Sequence, residues 1–343
     1  MLKIRQTNHL LSVLDTTSED LAVVLDSPAS FYEELILTDP LKPQKQRSVV
    51  NVKGTMRALQ SRLYRRVLLP KLEPSLYSHG GVRGRSIKTN VEPHVGSAYV
   101  FKTDISDFYP SIHYKRVYRL FVDRFECSPD VAGICTKICT YRHHLALGLI
   151  CSPILADQVL SRVDRRIGGA CAKAELVYTR FVDDVAISGP FNLEKSGFAR
   201  LVEEILAKDG FHVNSAKHKF GTLTNDLSIT NLREVRGHLD VRREYFDELV
   251  RQIDDAANLA RDEQFQGPYY TAGQVLGRVR FVAWVNPGRR RELIRRFRSV
   301  KWRVVKAMAR KRGYEVSRKA LTKSTPATSR IADTGVKQMN DGS

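Results

Sequence analysis

With 343 residues, the chain is long enough for a large core and two or three packed subdomains. Its 42% hydrophobic and 27% charged content excludes a disordered chain. No window reaches the ~18 apolar residues of a membrane span, and the N-terminus lacks the order of a secretory signal. The balance of 56 Lys and Arg against 37 Asp and Glu, a formal charge of +19, favours a polyanionic partner, nucleic acid before a membrane surface.

Residues 1–40 carry leucines at helical spacing (Leu10, Leu11, Leu14, then Leu21, Val24, Leu25), and Ser18 predicts a helix start. A basic turn over 40–47 leads to a short strand at 48–51. Residues 55–72 read as a helix exposing Arg57, Arg62, Arg65 and Arg66, and the glycine-rich 79–85 as a loop. A strand over 98–104 ends in Asp104, and helices follow near 113–125, 130–142 and 152–167, the last opening on Ser152-Pro153. Apolar runs on both sides of Asp183-Asp184 predict a β-hairpin over 177–188 whose turn bears two acids. An amphipathic helix over 194–208 and a short strand or loop over 211–220 complete this region.

Residues 278–312 hold 14 Lys and Arg against one acid, Glu292. Leu293, Phe297, Val300, Val304 and Met308 give one helical face for packing and leave an arginine-rich face exposed. Trp302 can stack or pack, and packing is the reading chosen. Beyond Gly313 periodicity is lost, as in a mobile tail. The cysteines Cys127, Cys135, Cys139, Cys151 and Cys171 lack CxxC spacing and read as small buried hydrophobes, so a reducing, cytoplasmic setting is expected.

Three acids carry the chemistry. Asp104 ends a strand, and Asp183 and Asp184 sit in a hairpin turn between apolar runs. Carboxylates so placed repel one another and resist desolvation unless a cation joins them. Magnesium suits oxygen ligands, and manganese accepts the same ones. Two such ions ~3.5–4 Å apart can activate a hydroxyl and stabilise a leaving pyrophosphate. An ordinary turn and a helix cap are the competing reading of each acid taken singly.

The order and wording of these segments resemble the palm of reverse transcriptases, most specifically the retron-type enzymes of bacteria. Residues 103–112, 148–157, 178–184 and 211–217 are similar to its four motifs in sequence order. The resemblance implies an α+β right-hand polymerase with fingers at 1–97, palm at 98–230 with a fingers insertion, a helical thumb at 231–312 and a tail at 313–343. It implies metal binding by Asp104, with Ile105 beside it, Asp183 and Asp184. Lys217 matches the basic residue that can protonate pyrophosphate, and Asn214 the motif's asparagine. Tyr109 matches the ring that excludes a 2′-hydroxyl. Gly148, Ser152, Pro153 and Phe181 fall on the nucleotide platform, and Lys45 and Arg47 on the triphosphate clamp.

Asn90-Val-Glu-Pro-His94 resembles the retron Asn-Ala-x-x-His segment, with Val91 for Ala. Glu234-Val-Arg-Gly-His238 stands where the branch has Val-Thr-Gly, with Arg236 for Thr. RNA binding is therefore expected at Arg85, Asn90, His94, Arg236 and Gly237, and on the thumb at Arg289, Arg295 and Arg296. The implied activity is copying a structured noncoding RNA into DNA from dNTPs, primed by a 2′-hydroxyl, in anti-phage defence. Partners would be that RNA, its DNA copy and a separate effector protein, without a membrane. A non-retron defence enzyme, a group-II-intron-like enzyme and an RNA-binding scaffold without catalysis are the alternatives.

Overall fold

The structure, a computed structural model, describes residues 3–39, 42–224, 227–262 and 264–312, with the backbone alone for 39 and 42–45. The tail expected at 313–343 lies outside the described residues. Helices α1 (Thr7–Leu14) and α2 (Ser18–Asp26) open the chain, and the Thr17 side chain caps α2 by accepting from the Asp20 amide. The helical reading of 1–40 stops there. Tyr32–Asp39 is a strand, β1, antiparallel to β2 (Lys42–Val52), so the basic turn at 40–47 is mostly strand as well. The run Leu35-Ile36-Leu37 suits either period, and β-branched Val49, Val50 and Val52 on the partner decide for the ladder.

Helix α3 (Gly54–Leu63) continues through a wide π-type turn at Tyr64–Leu68 into the short α4 (Leu69–Lys71). A loop and the one-turn α5 (Ile87–Val91) lead to β3 (Tyr99–Asp104). Helices α6 (Tyr114–Asp123), α7 (Pro129–Cys139) and α8 (Ser152–Lys173) follow, then β4 (Val177–Phe181), β5 (Asp184–Gly189), α9 (Phe198–Lys208) and β6 (Lys219–Gly221). Strands β4-β5-β3-β6 make one antiparallel sheet.

Both faces of that sheet are covered, which is why its strands read as continuous apolar runs. Phe101, Ile105, Val185 and Ile187 join a core with α1–α3 and α6–α9, whereas Val100 and Ala186 point into a second core, where Val91 of α5 joins them. This second core is built by β7 (Leu232–Val235), β8 (His238–Val241) and helices α10 (Arg243–Arg261), α11 (Ala272–Val285), α12 (Arg290–Ser299) and α13 (Trp302–Lys311). The basic segment 278–312 is thus three helices and not one. Pro287 breaks the first junction, and Val300, with ψ of 132°, breaks the second. All five cysteines are buried thiols. Among the described residues no helix is long and apolar enough to cross a membrane.

Candidate active site

The site grows from one register. In the antiparallel pairing of β3 with β5, Asp104 lies opposite Asp184, and the Ile105 amide donates to the Asp183 carbonyl at 3.0 Å. Phe181 pairs with Asp184, so Val182 and Asp183 are the two central residues of the β4–β5 hairpin. All three acids therefore meet at one end of the sheet, half-buried. Burial raises the Asp183 carboxyl above its usual range, and the charges of Asp184 and Asp104 push it further. Arg47, exposed on β2, pulls the other way, which locates that cation within electrostatic reach of Asp183. Lys45 shares the strand, and its side chain lies outside the described residues.

Lys217 closes the site. Its Nζ donates to Asp104 Oδ2 at 2.8 Å, and this contact raises the ammonium pKa. Asn214 accepts from the Ala216 amide at 3.0 Å and so shapes the turn that delivers Lys217. Tyr109 packs half-buried beside Phe108, and burial, then Asp183, lifts its phenol to about 12. Lys102, two residues before Asp104, donates to the Ser228 carbonyl at 2.7 Å, and burial lowers its pKa despite Asp184 and Asp104.

The donor set is all oxygen and mutually repelling, which fits hard divalent cations. Among the described residues, however, no three His, Cys, Asp or Glu side chains are drawn into a finished metal cluster. The backbone brings the acids together, and the Lys217 ammonium holds one of them.

The turn itself is strained and supported from below. Val182 has φ of +61°, a position that two-residue hairpins usually give to glycine. Gly80 lies so close that a Cβ there would stand 2.5 Å from Val182 Cγ2. Arg180, 2% exposed, donates from Nη1 to the Val182 carbonyl at 2.8 Å, while its Nε and Nη2 bind Asp164 and Nη2 also binds Asp157. Burial opposes the Arg180 charge, but Asp164 outweighs it and holds the pKa above its usual value. The Tyr178 hydroxyl donates to the same Asp164 at 2.7 Å. Sequence reasoning missed Arg180. Its legible signal is Asp157 and Asp164, seven residues apart and so two turns along one face of α8.

Other expected residues divide sharply. Gly148, φ +103°, lets its loop press on β2, where the Val50 amide donates to Leu147 O at 2.8 Å. Ser152 is 1% exposed and accepts from the Ala146 amide at 3.3 Å, so it braces the loop and does not face a nucleotide. Pro153 starts α8 and packs by Gly81.

Three of the RNA-binding expectations need correction. The Arg85 guanidinium is taken up by the carbonyls of Ser75, Leu76 and Ser78. Asn90 and His94 are 1% and 0% exposed. His94 is a pin between α5 and the sheet, with Nε2 2.8 Å from Thr179 Oγ1 and Nδ1 2.7 Å from Ser188 Oγ. Because Thr179 Oγ1 donates to the Asn90 carbonyl, Nε2 carries the proton and Nδ1 accepts. Burial then pushes the ring pKa down to about 3.

Arg236 and Gly237 form the exposed β7–β8 turn, at φ of +52° and +77°. Near the start of α12 and along it, Arg289 is bound to buried Asp240 at 2.6 Å and lies over the Phe246 ring, Arg296 pairs with Glu292 at 3.2 Å, and Arg295 is exposed.

The sequence pattern of the reverse transcriptase (RNA-dependent DNA polymerase) family matches residues 40–260. The chain is 28% identical to the Retron Ec86 reverse transcriptase of Escherichia coli over 74% of this chain and 78% of that one. It is 33% identical to the Retron Mx65 reverse transcriptase of Myxococcus xanthus, over 48% of this chain and 42% of that one. A solved telomerase from Candida albicans, in complex with a fragment of telomeric RNA, aligns over 82% of this chain and 60% of its own at 13% identity and a TM-score of 0.41. The chain belongs to the reverse transcriptase family, the RNA-directed DNA polymerases of right-hand α+β fold, and is similar to its retron-type bacterial members.

Proposed function

We propose that this polymerase serves a retron, copying a structured noncoding RNA from a 2′-hydroxyl of that RNA into a branched RNA–DNA product. The observation that carries the polymerase chemistry is the Asp104–Asp184 register with Asp183 in the adjoining turn. The retron assignment draws its support from the two bacterial relatives, both retron reverse transcriptases.

In this reading Asp104, the Ile105 backbone, Asp183 and Asp184 hold two divalent ions, magnesium or manganese. When bound, such ions polarise the primer hydroxyl and the triphosphate and offset developing charge. The chain's own groups do the rest. Lys217 stands ready to give a proton to the leaving pyrophosphate, and Arg47 with Lys45 orients the triphosphate. Tyr109 limits the space beside the sugar. Exposed thumb arginines hold the duplex by its phosphates. Fingers, palm and thumb correspond to 1–97, 98–230 and 231–312. The setting is cytoplasmic anti-phage defence with a separate effector protein.

The test is sequencing of nucleic acid that co-purifies with the protein from its host, beside an Asp183→Asn/Asp184→Asn protein. A discrete DNA joined to a local structured RNA, absent from the double variant, is expected. RNA bound equally by both proteins, without DNA, would overturn the reading.

A further inference from the structure

The chain has two tryptophans, and they differ in exposure. Trp302 is half-buried and packed: its Nε1 donates to the Phe297 carbonyl at 2.9 Å, and its ring stacks on Phe297 at 4.8 Å. Trp284, on the last turn of α11, is 46% exposed, a large cost in water for an aromatic side chain. It borders a cavity of about 650 Å³ between α11 and α12, shared with Arg280, Arg290, Ile294 and Arg298. Lys88 approaches from α5, with Nζ 3.4 Å from the Trp284 carbonyl and 5.9 Å from the indole centre.

These cations differ from their neighbours. Arg289 and Arg296 are bound to acids, whereas Arg280, Arg290 and Arg298 have no ion pair or side-chain hydrogen bond among the described residues. Three guanidinium groups around one groove repel each other until an anion arrives. A duplex could supply phosphates, yet its bases are already stacked and would leave the indole bare. An acidic peptide would likewise satisfy charge alone. An unpaired nucleotide supplies both, a flat base for the indole and phosphates for the arginines.

We infer that the α11–α12 groove binds an unpaired nucleotide of a folded RNA, with its base on Trp284 and its flanking phosphates on Arg280, Arg290, Arg298 and Lys88. Only the identity of the strand as RNA rests on the proposed function. Loops and bulges are where folded RNA displays such bases, and the groove would let the thumb choose a structured RNA over a plain duplex.

The Trp302→Phe protein keeps Trp284 as its sole tryptophan and serves as the probe. An RNA hairpin with an unpaired loop is titrated into it without dNTPs or divalent metal, beside a blunt RNA duplex of the same stem, a DNA hairpin of the same sequence and polyglutamate. Quenching by the RNA hairpin is expected. Trp284→Ala should weaken hairpin binding by about 5- to 150-fold and leave duplex binding unchanged. Should Trp284→Ala fail to fold, Arg290→Gln/Arg298→Gln reports instead, through a salt slope lower by about 1.4–1.8. Unchanged fluorescence at saturation, an unchanged hairpin-to-duplex ratio, or equal quenching by the DNA hairpin or polyglutamate would overturn the inference. Primer extension by the wild-type protein is scored separately: its failure with quenching intact would sink the polymerase reading and leave the groove standing.

Discussion

Arg180 Nη1 donates to the carbonyl of Val182 at 2.8 Å, so a fully buried guanidinium props the strained residue that precedes Asp183. The same group is neutralised by Asp164 and Asp157 from α8, at 2.7 and 2.8 Å. The turn is thereby tied by charge to the longest helix of the core, beside the apolar packing of Tyr178 and Val182. Removing Arg180 leaves both acids buried and uncompensated, which costs about 3–5 kcal/mol. Arg180→Gln should lose that much stability in urea unfolding. Asp164→Asn should lose less, because Asp157 still faces the cation. Equal, small losses from both would show that water or a rearranged turn takes over.

His94 makes acid stability a readout of how α5 is held to the sheet. The ring is charged below about 6.5 when unfolded and only below about 3 in place. The unfolded chain therefore binds the extra proton between those values, and stability is complete above about 6.5 and falls as pH drops toward about 3. The slope from this group approaches ~1.4 kcal/mol per pH unit. His79, lowered to about 4 by burial and then by Arg85, adds a smaller slope because it is half exposed. His94→Gln starts less stable at pH 7, but its stability should fall more slowly between pH 6.5 and 5. Parallel curves for the two proteins would refute the neutral-pin assignment.

The motif-bearing strands were legible because both sheet faces are buried, which forces continuous apolar runs and makes Asp104, Asp183 and Asp184 stand out. The same logic fails for Arg180. An arginine in a strand reads as a solvent-facing residue until its partners arrive from a helix distant in sequence. Asn90 and His94 were legible as a motif, yet a motif cannot say whether a side chain faces RNA or the sheet, and here both face inward. Residues 32–39 misled because three consecutive apolar residues carry no period. At 278–312 composition outweighed local geometry, and the breaks at Pro287 and Val300 went unread.

Gly148 tests how β2 is seated. A Cβ at this residue would collide with the Val50 carbonyl oxygen and stand 2.8 Å from Val49 Cγ1, at a φ that side chains avoid. Gly148→Ala should cost about 1–3 kcal/mol by overpacking and strain. The loss should be local. Faster hydrogen exchange of the Val50 amide, which donates to Leu147 O, is the expected signature, with the β3–β5 amides unchanged.

Lys217 and Asp104 separate positioning from proton transfer. If the ammonium donates to the leaving group, Lys217→Ala should lower the single-turnover rate by ~10²–10⁴. Lys217→Arg should restore charge beside Asp104 but recover little of the rate, because a guanidinium does not give up its proton. Full recovery by arginine would mean that Lys217 acts by charge alone.

The arginines in and just before α12 should differ in salt dependence according to what already binds them. Arg295 is exposed and without an ion pair among the described residues, Arg296 is paired with Glu292 on the surface, and Arg289 is locked to Asp240, which is 1% exposed. A free cation on a phosphate releases counterions, so Arg295→Gln should reduce the salt slope of duplex binding by about 1. Arg296→Gln should reduce it less, since Glu292 already offsets part of that charge. Arg289→Gln should leave the slope alone and destabilise the fold, because it strands Asp240 in the second core. A slope change from Arg289→Gln with unaltered stability would mean that Arg289 leaves Asp240 to reach the nucleic acid.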